Sequence, residues 1–264
     1  MDKVIKEMNG HSGCEVLLIK KDRGDLIVKK RSPSLIYNER LNRQMLKQKA
    51  FKSTYIRVPE IYSYANEKHF YFEMEFLKGE GFNEYIDKHD KNKIFDKLEK
   101  IIAFLEASNE LREDIQEAVE EKLSRMNIEK KFSFFKDYCL DYDWDKVKKS
   151  FCHGDLSFEN IIISNEEVCF IDFLDSFVDS RIIDYSKILQ DLMLNWSWRG
   201  KKRVPYIKLI LMFDYLKCRM KQDQWDAATK MLVLNLLRML PYADIHTKKI
   251  IELDLSFMRK EVIK

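Results

Sequence analysis

The sequence predicts an α+β fold, in which a small antiparallel β part with one helix precedes a larger and mostly α part. Three observations predict it: strand-like runs over about the first seventy residues, apolar residues at every third or fourth position from residue 94 onward, and one hairpin pattern at 160–171. With 264 residues, 45% of them hydrophobic, the chain has enough apolar surface to bury a core.

Strands are expected first, at about residues 15–20, 25–30, 60–64 and 69–76. A turn at Asp22-Arg23-Gly24 separates the first two of them. One helix begins after Ser32-Pro33-Ser34, because Ser and Pro are typical of helix starts, and it continues to about residue 49.

Helices are expected beyond Gly79, at about residues 94–105, 111–126, 182–194, 204–221, 225–240 and 246–262. A short hinge near residues 75–79 is expected to join the two parts. The predicted domains are therefore a β-rich N-terminal part at 1–76 and a mainly α part at 77–264.

The composition excludes several classes of protein. A net charge of +3 is too small to make nucleic acid the expected partner. The chain starts without the apolar run of a secretory signal and shows no apolar stretch long enough to span a bilayer. Five scattered cysteines form neither a metal-binding spacing nor a disulfide framework. We expect a cytoplasmic protein with no membrane insertion.

The candidate chemistry lies in His153, Asp155 and Asn160, followed by Asp172. Phosphoryl transfer needs little covalent help, so its catalysts position a hydroxyl with an aspartate and hold metal ions with an asparagine and a second aspartate. The spacing indicates phosphoryl transfer with Asp155 as the catalytic base. The plainer interpretation is that these side chains hydrogen-bond a turn, and for His153 we favour that structural role.

A hairpin would bring the two metal-binding candidates together. The runs 160–164 and 167–171 both have strand character, and Asn165-Glu166 forms the turn between them. Asn160 begins the first run and Asp172 follows the second, so the hairpin would place them at the same end.

The string His153-Gly154-Asp155-Leu156-Ser157, with Asn160 and then Ile171-Asp172-Phe173, resembles the aminoglycoside phosphotransferase and choline kinase family of small-molecule kinases. The resemblance implies a two-lobed, protein-kinase-like fold with ATP and Mg²⁺ as cofactors. It makes Asp155 the base, Asn160 and Asp172 the magnesium ligands, and Asp184 a buried acid that braces the loop. It is concentrated in about residues 150–192.

A phosphate-anchoring lysine is expected on the strand at 26–30, where Lys29 and Lys30 are both candidates. Neighbouring strand residues point to opposite faces, so only one of them can reach the nucleotide. We favour Lys29, because it directly follows two apolar strand residues as in the related kinases. Its acidic partner would be Glu39, although the family pattern points to the position of Gln44.

Two segments are candidates for nucleotide contacts. The loop that contains Gly10, Ser12 and Gly13 lies between two expected strands and could direct backbone N–H groups to phosphate oxygens, although it lacks a full glycine-rich motif. The segment around Glu75 and Leu77 resembles the family's hinge, where backbone groups bind adenine.

The acceptor is expected to be a small alcohol. Only eleven residues separate Asp172 from Asp184, which is too short for the activation segment on which a protein substrate lies. A sugar, a polyol or an amino alcohol fits best, and the runs 171–177 and 187–191 resemble bacterial kinases of surface-polysaccharide gene sets. An antibiotic kinase and a nucleotide-binding module without turnover are the alternatives. Candidate recognition residues are Glu159, Asp175, Asp179, Trp196, Trp198 and Arg199.

Overall fold

The computed structural model describes residues 2–8, 13–107 and 110–262. The chain divides into two compact units, one of residues 1–85 with 159–175 and one of residues 86–158 with 176–264. This division by spatial contacts assigns 77–85 and the predicted hairpin to the first unit, and the predicted domain boundary after residue 76 stays a prediction. Among the described residues, no helix combines the length and apolar character needed to cross a lipid bilayer.

The first unit contains a five-stranded antiparallel sheet with the strand order β1-β2-β3-β5-β4. The strands are β1 (Lys3–Met8), β2 (Glu15–Lys20), β3 (Leu26–Arg31), β4 (Ile61–Asn66) and β5 (Phe70–Glu75). The turn between β2 and β3 requires a glycine, because Gly24 has a φ of +98°. The strands expected from the sequence are thus confirmed.

Helix α1 (Leu35–Ala50) packs on this sheet. Ser34 caps it, since the Ser34 hydroxyl accepts a hydrogen bond from the backbone N–H of Tyr37 at 3.3 Å. The shared core contains residues from the helix and from one face of the sheet: Cys14, Val28, Leu41, Met45, Phe70, Phe72 and Met74. Val28 therefore marks the face of β3 that looks toward α1.

A second sheet of the first unit has the order β10-β9-β6 and contains the predicted hairpin. Its strands are β6 (Glu80–Gly81), β9 (Ile161–Ser164) and β10 (Glu167–Phe170). Asn165 and Glu166 both have positive φ, at 48° and 63°, as the tight two-residue turn of a hairpin requires. The register pairs Ile161 with Phe170.

Gly79 allows β6 to lie beside β9. A Cβ atom on Gly79 would overlap the backbone carbonyl of Ile163 and the side chain of Ile162. No side chain larger than hydrogen fits there without moving the strand. Gly79 therefore has a packing role.

The second unit is mostly helical. Its helices are α3 (Lys91–Ala107), α4 (Gln116–Ser124), α5 (Ser133–Leu140), α6 (Arg181–Leu194), α7 (Tyr206–Arg219), α8 (Gln222–Met239) and α9 (Ile245–Glu261), and α2 (Phe82–Lys88) begins before the unit boundary. Helix α8 packs against α5 and α6, and α7 packs against α3 and α6. Most of the expected helices are confirmed.

The predicted helix at 111–126 is wrong at its start. Residues Glu110–Asp114 form strand β7, which pairs with β8 (Lys148–Ser150), and α4 begins only at Gln116. Leu111 fits the helical spacing by coincidence, because its side chain is 58% exposed. The N–H of Ile115 donates to the carbonyl of Val147, which ends the paired segment before the helix begins.

Gly79→Ala should lower the free energy of unfolding by about 2–3 kcal/mol, because the added methyl group meets a backbone carbonyl that cannot rotate away. Gly200→Ala is the matched control. Gly200 has a φ of +77° and no atom within 4 Å of an added Cβ, so its substitution costs backbone strain alone, roughly 1 kcal/mol. Urea unfolding checks both, and equal losses would contradict the packing role of Gly79.

Helix α9 contains a half-buried acid, Asp254. The Oδ2 atom of Asp254 is buried and has no hydrogen-bond partner among the described residues. Burial disfavours the charged carboxylate and raises the pKa of Asp254 from 3.8 to about 7. The folded chain therefore holds a proton there that the unfolded chain releases near pH 4.

We expect the free energy of unfolding to decrease as the pH rises from about 4 to about 7. Over that range folded Asp254 retains a proton that the unfolded chain has lost. The loss reaches up to roughly 4 kcal/mol. Asp254→Asn should remove it, while Asp214→Asn, at an exposed site on α7, should not. Urea unfolding at several pH values measures this, and parallel curves for wild type and Asp254→Asn would refute it.

Candidate functional site

A buried carboxylate of the second unit accepts backbone hydrogen bonds from the loop that carries Asp155. Asp184, in the first turn of α6, is fully buried. Its Oδ2 atom accepts the backbone N–H of His153 at 2.6 Å, and its Oδ1 atom accepts that of Gly154 at 2.8 Å. These contacts support the predicted bracing role of Asp184.

A second buried acid on α6 supports the far end of the same loop. Asp191 accepts the backbone N–H of Phe158 at 2.6 Å and that of Ser197 at 2.7 Å. It lies two helical turns after Asp184 and therefore on the same helix face. The sequence analysis missed this role, although a second acid seven residues after Asp184 is a usable signal, because it lies on the same helix face.

His153 has the contacts of a structural residue. It is fully buried, and its Nδ1 atom accepts the backbone N–H of Asp155 at 3.2 Å. With Nδ1 as an acceptor, the neutral ring carries its proton on Nε2. The contact supports the structural interpretation of His153.

Asp155 forms an ion pair that the sequence analysis did not anticipate. The Nζ atom of Lys187, on α6, lies 2.9 Å from its Oδ1 atom. The side chain of Asp155 is 34% exposed and that of Lys187 is 14% exposed. The residues are 32 positions apart, so only the tertiary structure brings them together.

Asn160 and Asp172 lie at the open end of the hairpin in the first unit. The N–H of Ile171 donates to the carbonyl of Asn160 at 3.0 Å, so the hairpin register places Asn160 opposite the residue before Asp172. Asp172 has a φ of 59°, an uncommon conformation for a residue other than glycine. Its side chain is 43% exposed.

Lys30, rather than Lys29, approaches this end of the hairpin. The Nζ atom of Lys30 lies 3.0 Å from Oδ1 of Asp172, while that of Lys29 lies 3.6 Å from the ring centroid of Tyr71. Lys30 shares the face of β3 with Val28, toward α1. Burial disfavours the charge of Lys30, but Asp172 outweighs it and the pKa of Lys30 is raised. The geometry thus favours Lys30 over Lys29.

Neither expected partner for this lysine occupies that role. Glu39 is on the exposed side of α1, where its side chain is 80% exposed and pairs with Arg43 at 2.5 Å. Gln44 is buried on the inner side of α1, and its Nε2 atom has no hydrogen-bond partner among the described residues. The described carboxylate in contact with Lys30 is that of Asp172.

Helix α1 also binds the segment that follows Asp172. Arg43 Nε donates to the carboxylate of Asp175 at 2.8 Å, and Lys47 Nζ donates to the carbonyl of Leu174 at 3.1 Å. The rings of Phe51 and Phe173 meet edge to face at 5.3 Å. Helix α1 and Phe51, the residue after it, are therefore attached to residues 173–175.

The expected nucleotide-contact residues are placed as follows. The side chain of Leu77 is buried in the segment between β5 and β6. The N–H of Glu75 donates to the carbonyl of Glu60 at 2.9 Å, and its carboxylate pairs with Arg57 at 2.5 Å. Gly13 has a φ of 72°, whereas the predicted contacts Gly10 and Ser12 lie outside the described residues.

Several candidate acceptor-recognition residues have partners within their own unit. Asp175 pairs with Arg43, and Asp179 accepts a hydrogen bond from the Cys152 thiol at 3.4 Å. Trp198 is 1% exposed and its indole N–H donates to Asp87, so it has a packing role. Trp196 lies beside Arg199, whose guanidinium is 4.7 Å from the Trp196 ring. Glu159 is half-buried in the first unit.

The donor set of the first unit suits a hard divalent cation. Asp172 offers a carboxylate and Asn160 an amide oxygen, and Mg²⁺ prefers oxygen ligands and keeps several positions for water and phosphate. Across 2–8, 13–107 and 110–262, no three His, Cys, Asp or Glu residues form a metal-binding group by themselves. Two protein ligands fit a cation that shares its coordination with a nucleotide.

The chain matches known phosphotransferases. Residues 8–210 match the model of a family described as APH, phosphotransferase enzyme family. A comparison with curated proteins found no match.

Solved structures give the fold. A thermostable mutant of aminoglycoside phosphotransferase APH(4)-Ia with ADP and hygromycin B aligns at a TM-score of 0.63 and 11% identity, over 97% of this chain and 94% of that chain. A thermostable mutant of the same enzyme with AMP-PNP and hygromycin B gives 0.68 and 10%, over 98% and 94%. A macrolide 2'-phosphotransferase type I gives 0.53 and 17%, over 96% and 92%. The predicted protein-kinase-like fold is confirmed.

Asp184→Asn should lower the free energy of unfolding by about 2–4 kcal/mol, because an amide turns an NH₂ group toward one of two buried N–H donors. Asp87→Asn is the matched control: Asp87 accepts one donor, the indole of Trp198, and an amide oxygen can accept it as well. Chemical denaturation followed by circular dichroism compares them. Similar losses for both variants would show that Asp184 does not have the bracing role.

Proposed function

The chain belongs to the APH phosphotransferase enzyme family, and on this premise we propose that it transfers the γ-phosphoryl group of ATP, with Mg²⁺, to a hydroxyl group of a small molecule. The observation that carries the proposal is the end of the hairpin in the first unit. There the register places Asn160 beside the residue before Asp172, and Lys30 contacts the Asp172 carboxylate. Oxygen ligands and a buried cation are the groups that a magnesium nucleotide requires.

Each proposed residue has one task. Asp155 accepts the proton of the acceptor hydroxyl, and Lys30 steadies the phosphates in place of the initially favoured Lys29. Backbone groups near Leu77 and the carbonyl of Glu75 bind the adenine, since the Glu75 N–H is already bonded to Glu60. Backbone N–H groups of the loop with Gly13 contact the phosphates.

Asn160 and Asp172 would hold Mg²⁺. A bound cation would supply positive charge against the negative charge of the phosphates. The ammonium of Lys30 offsets the negative charge of the Asp172 carboxylate when no cation is bound. The protein's own contribution is to hold oxygen ligands at one end of a hairpin of fixed register.

The acceptor that we propose is a sugar, a polyol or an amino alcohol. The short segment between Asp172 and Asp184 leaves no room for a protein substrate. Proteins of similar fold include an aminoglycoside phosphotransferase solved with hygromycin B and a macrolide phosphotransferase, which supports a small polyhydroxylated acceptor and keeps an antibiotic kinase as an alternative. Asp175 and Asp179 both have internal partners, so we do not assign them to an ammonium group of the acceptor.

A second candidate function is a nucleotide-binding module without turnover. Gln44 on the inner side of α1 supports it, because an amide cannot form an ion pair with Lys30 and its Nε2 atom has no described partner. Such a module would bind ATP and consume none of it. The contact between Lys30 and Asp172 nevertheless keeps the lysine compensated without an acid on α1.

Wild-type protein should bind MgATP and consume it in the presence of one member of a panel of sugars, polyols, amino alcohols and aminoglycosides. Asp155→Asn should lower turnover by about 100- to 10,000-fold, because it removes the base, and should leave ATP affinity nearly intact. Calorimetry measures binding and a coupled assay measures ADP. Binding without turnover on every acceptor would favour the module, and wild-type turnover by Asp155→Asn would exclude it as the base.

The two lysines provide a matched pair for the phosphate contact. Lys30→Met should weaken ATP affinity or turnover by about tenfold or more, because it removes the buried ammonium beside Asp172. Lys29→Met should change both by less than about twofold, because Lys29 lies on the Tyr71 ring. The reverse order would return the role to Lys29.

A further inference from the structure

One charged residue on the loop-facing side of α6 has no part in bracing the backbone. Asp184 and Asp191 both accept backbone N–H groups of the loop. Lys187 lies between them on the same helix face and contacts a side chain instead, with its Nζ atom 2.9 Å from Oδ1 of Asp155. The helix that fixes the loop thus also places a cation on the proposed base.

The geometry of Lys187 differs from that of an ordinary surface ion pair. Exposed pairs contribute little, because water screens them and long side chains lose freedom when they form. The Lys187 side chain is only 14% exposed, and its helix is bonded to the loop on both sides of it, at Asp184 and at Asp191. The helix that carries Lys187 is held beside the loop by contacts that do not involve Asp155.

We propose that Lys187 is a positioning residue that keeps the Asp155 carboxylate ionised and oriented for the acceptor hydroxyl. A general base must be ionised to accept a proton, and a cation in contact favours the ionised form. Engagement of Oδ1 by Lys187 also restricts rotation of the carboxylate. The inference rests on the proposed function in one respect, namely that Asp155 is the base.

In the proposed step Lys187 neither gains nor loses a proton. The O–H bond of the acceptor breaks and its proton moves to the Asp155 carboxylate, while the oxygen forms the new bond to the γ-phosphorus. The bond from that phosphorus to its bridging oxygen breaks, and ADP leaves with the electron pair. The ammonium of Lys187 offsets the repulsion between the Asp155 carboxylate and the phosphate oxygens.

The first test needs neither nucleotide nor acceptor. Full-length protein with ¹³C-labelled aspartate carboxyl groups is titrated by NMR, and the Asp155 signal is assigned by its loss in Asp155→Asn. In Lys187→Met the titration of that signal should move to higher pH, and in Lys187→Arg it should stay near that of wild type, because the cation is retained.

Lys208→Met is the matched control for the loss of a lysine in the same unit. Lys208 donates to the carbonyl groups of Ile86 at 2.6 Å and His89 at 2.8 Å, so its removal costs backbone contacts but should not move the Asp155 titration. An Asp155 titration unchanged in Lys187→Met would overturn the inference. An equal movement in Lys208→Met would overturn it as well.

The second test is kinetic and uses MgATP with water as the acceptor, or with the alcohol that the panel identifies. Lys187→Met should lower kcat by about 10- to 100-fold, move the acidic limb of the kcat profile to higher pH, and leave KM for ATP within about twofold. Lys187→Arg should restore most of kcat. A Lys187→Met variant with the kcat of wild type and an unmoved acidic limb would overturn the inference. A wild-type protein without turnover would instead contradict the proposed function, and the NMR titration would then decide on Lys187.

Discussion

The shape of the loop at residues 153–158 depends on the buried carboxylate of Asp184. Its two oxygens accept the consecutive N–H groups of His153 and Gly154, which would otherwise be buried without partners. Gly154 has a φ of 91°, a conformation that glycine adopts without strain, and consecutive N–H groups in such turns can converge on one anion. Because Asp155 is the next residue, the position of the proposed base follows from a helix that is packed into the helical core of the second unit.

In the first unit, the buried charge of Lys30 is balanced by a single carboxylate. Lys30 is buried and needs a counter-charge, and the acid that kinases place on the helix is absent at Gln44. Asp172 supplies that charge from the end of the hairpin. One carboxylate thus stabilises a buried ammonium and also belongs to the proposed magnesium site, so the two roles cannot be separated by substituting Asp172 alone.

Local signals made much of this predictable, and long-range geometry explains the rest. The hairpin follows from two strand-like runs and a two-residue turn, and the Ser34 cap and the apolar periodicity of α6 are equally local. The choice between Lys29 and Lys30 depends on which face of β3 meets α1, and both faces contain an apolar residue and a lysine. Strand β7 and the contact of Lys187 with Asp155 depend on partners far away in the chain.

Helix α1 and the segment at residues 173–175 are joined by side-chain contacts. An ion pair, a hydrogen bond to a carbonyl and an edge-to-face ring contact join them at Asp175, Leu174 and Phe173. A movement of α1 would therefore also displace Asp172, the residue before this segment. A cation bound at Asp172 would in turn restrain the helix. A cation at the proposed magnesium site would thus be linked to α1 through residues 173–175, without the acid on α1 that the kinase pattern predicts at the position of Gln44.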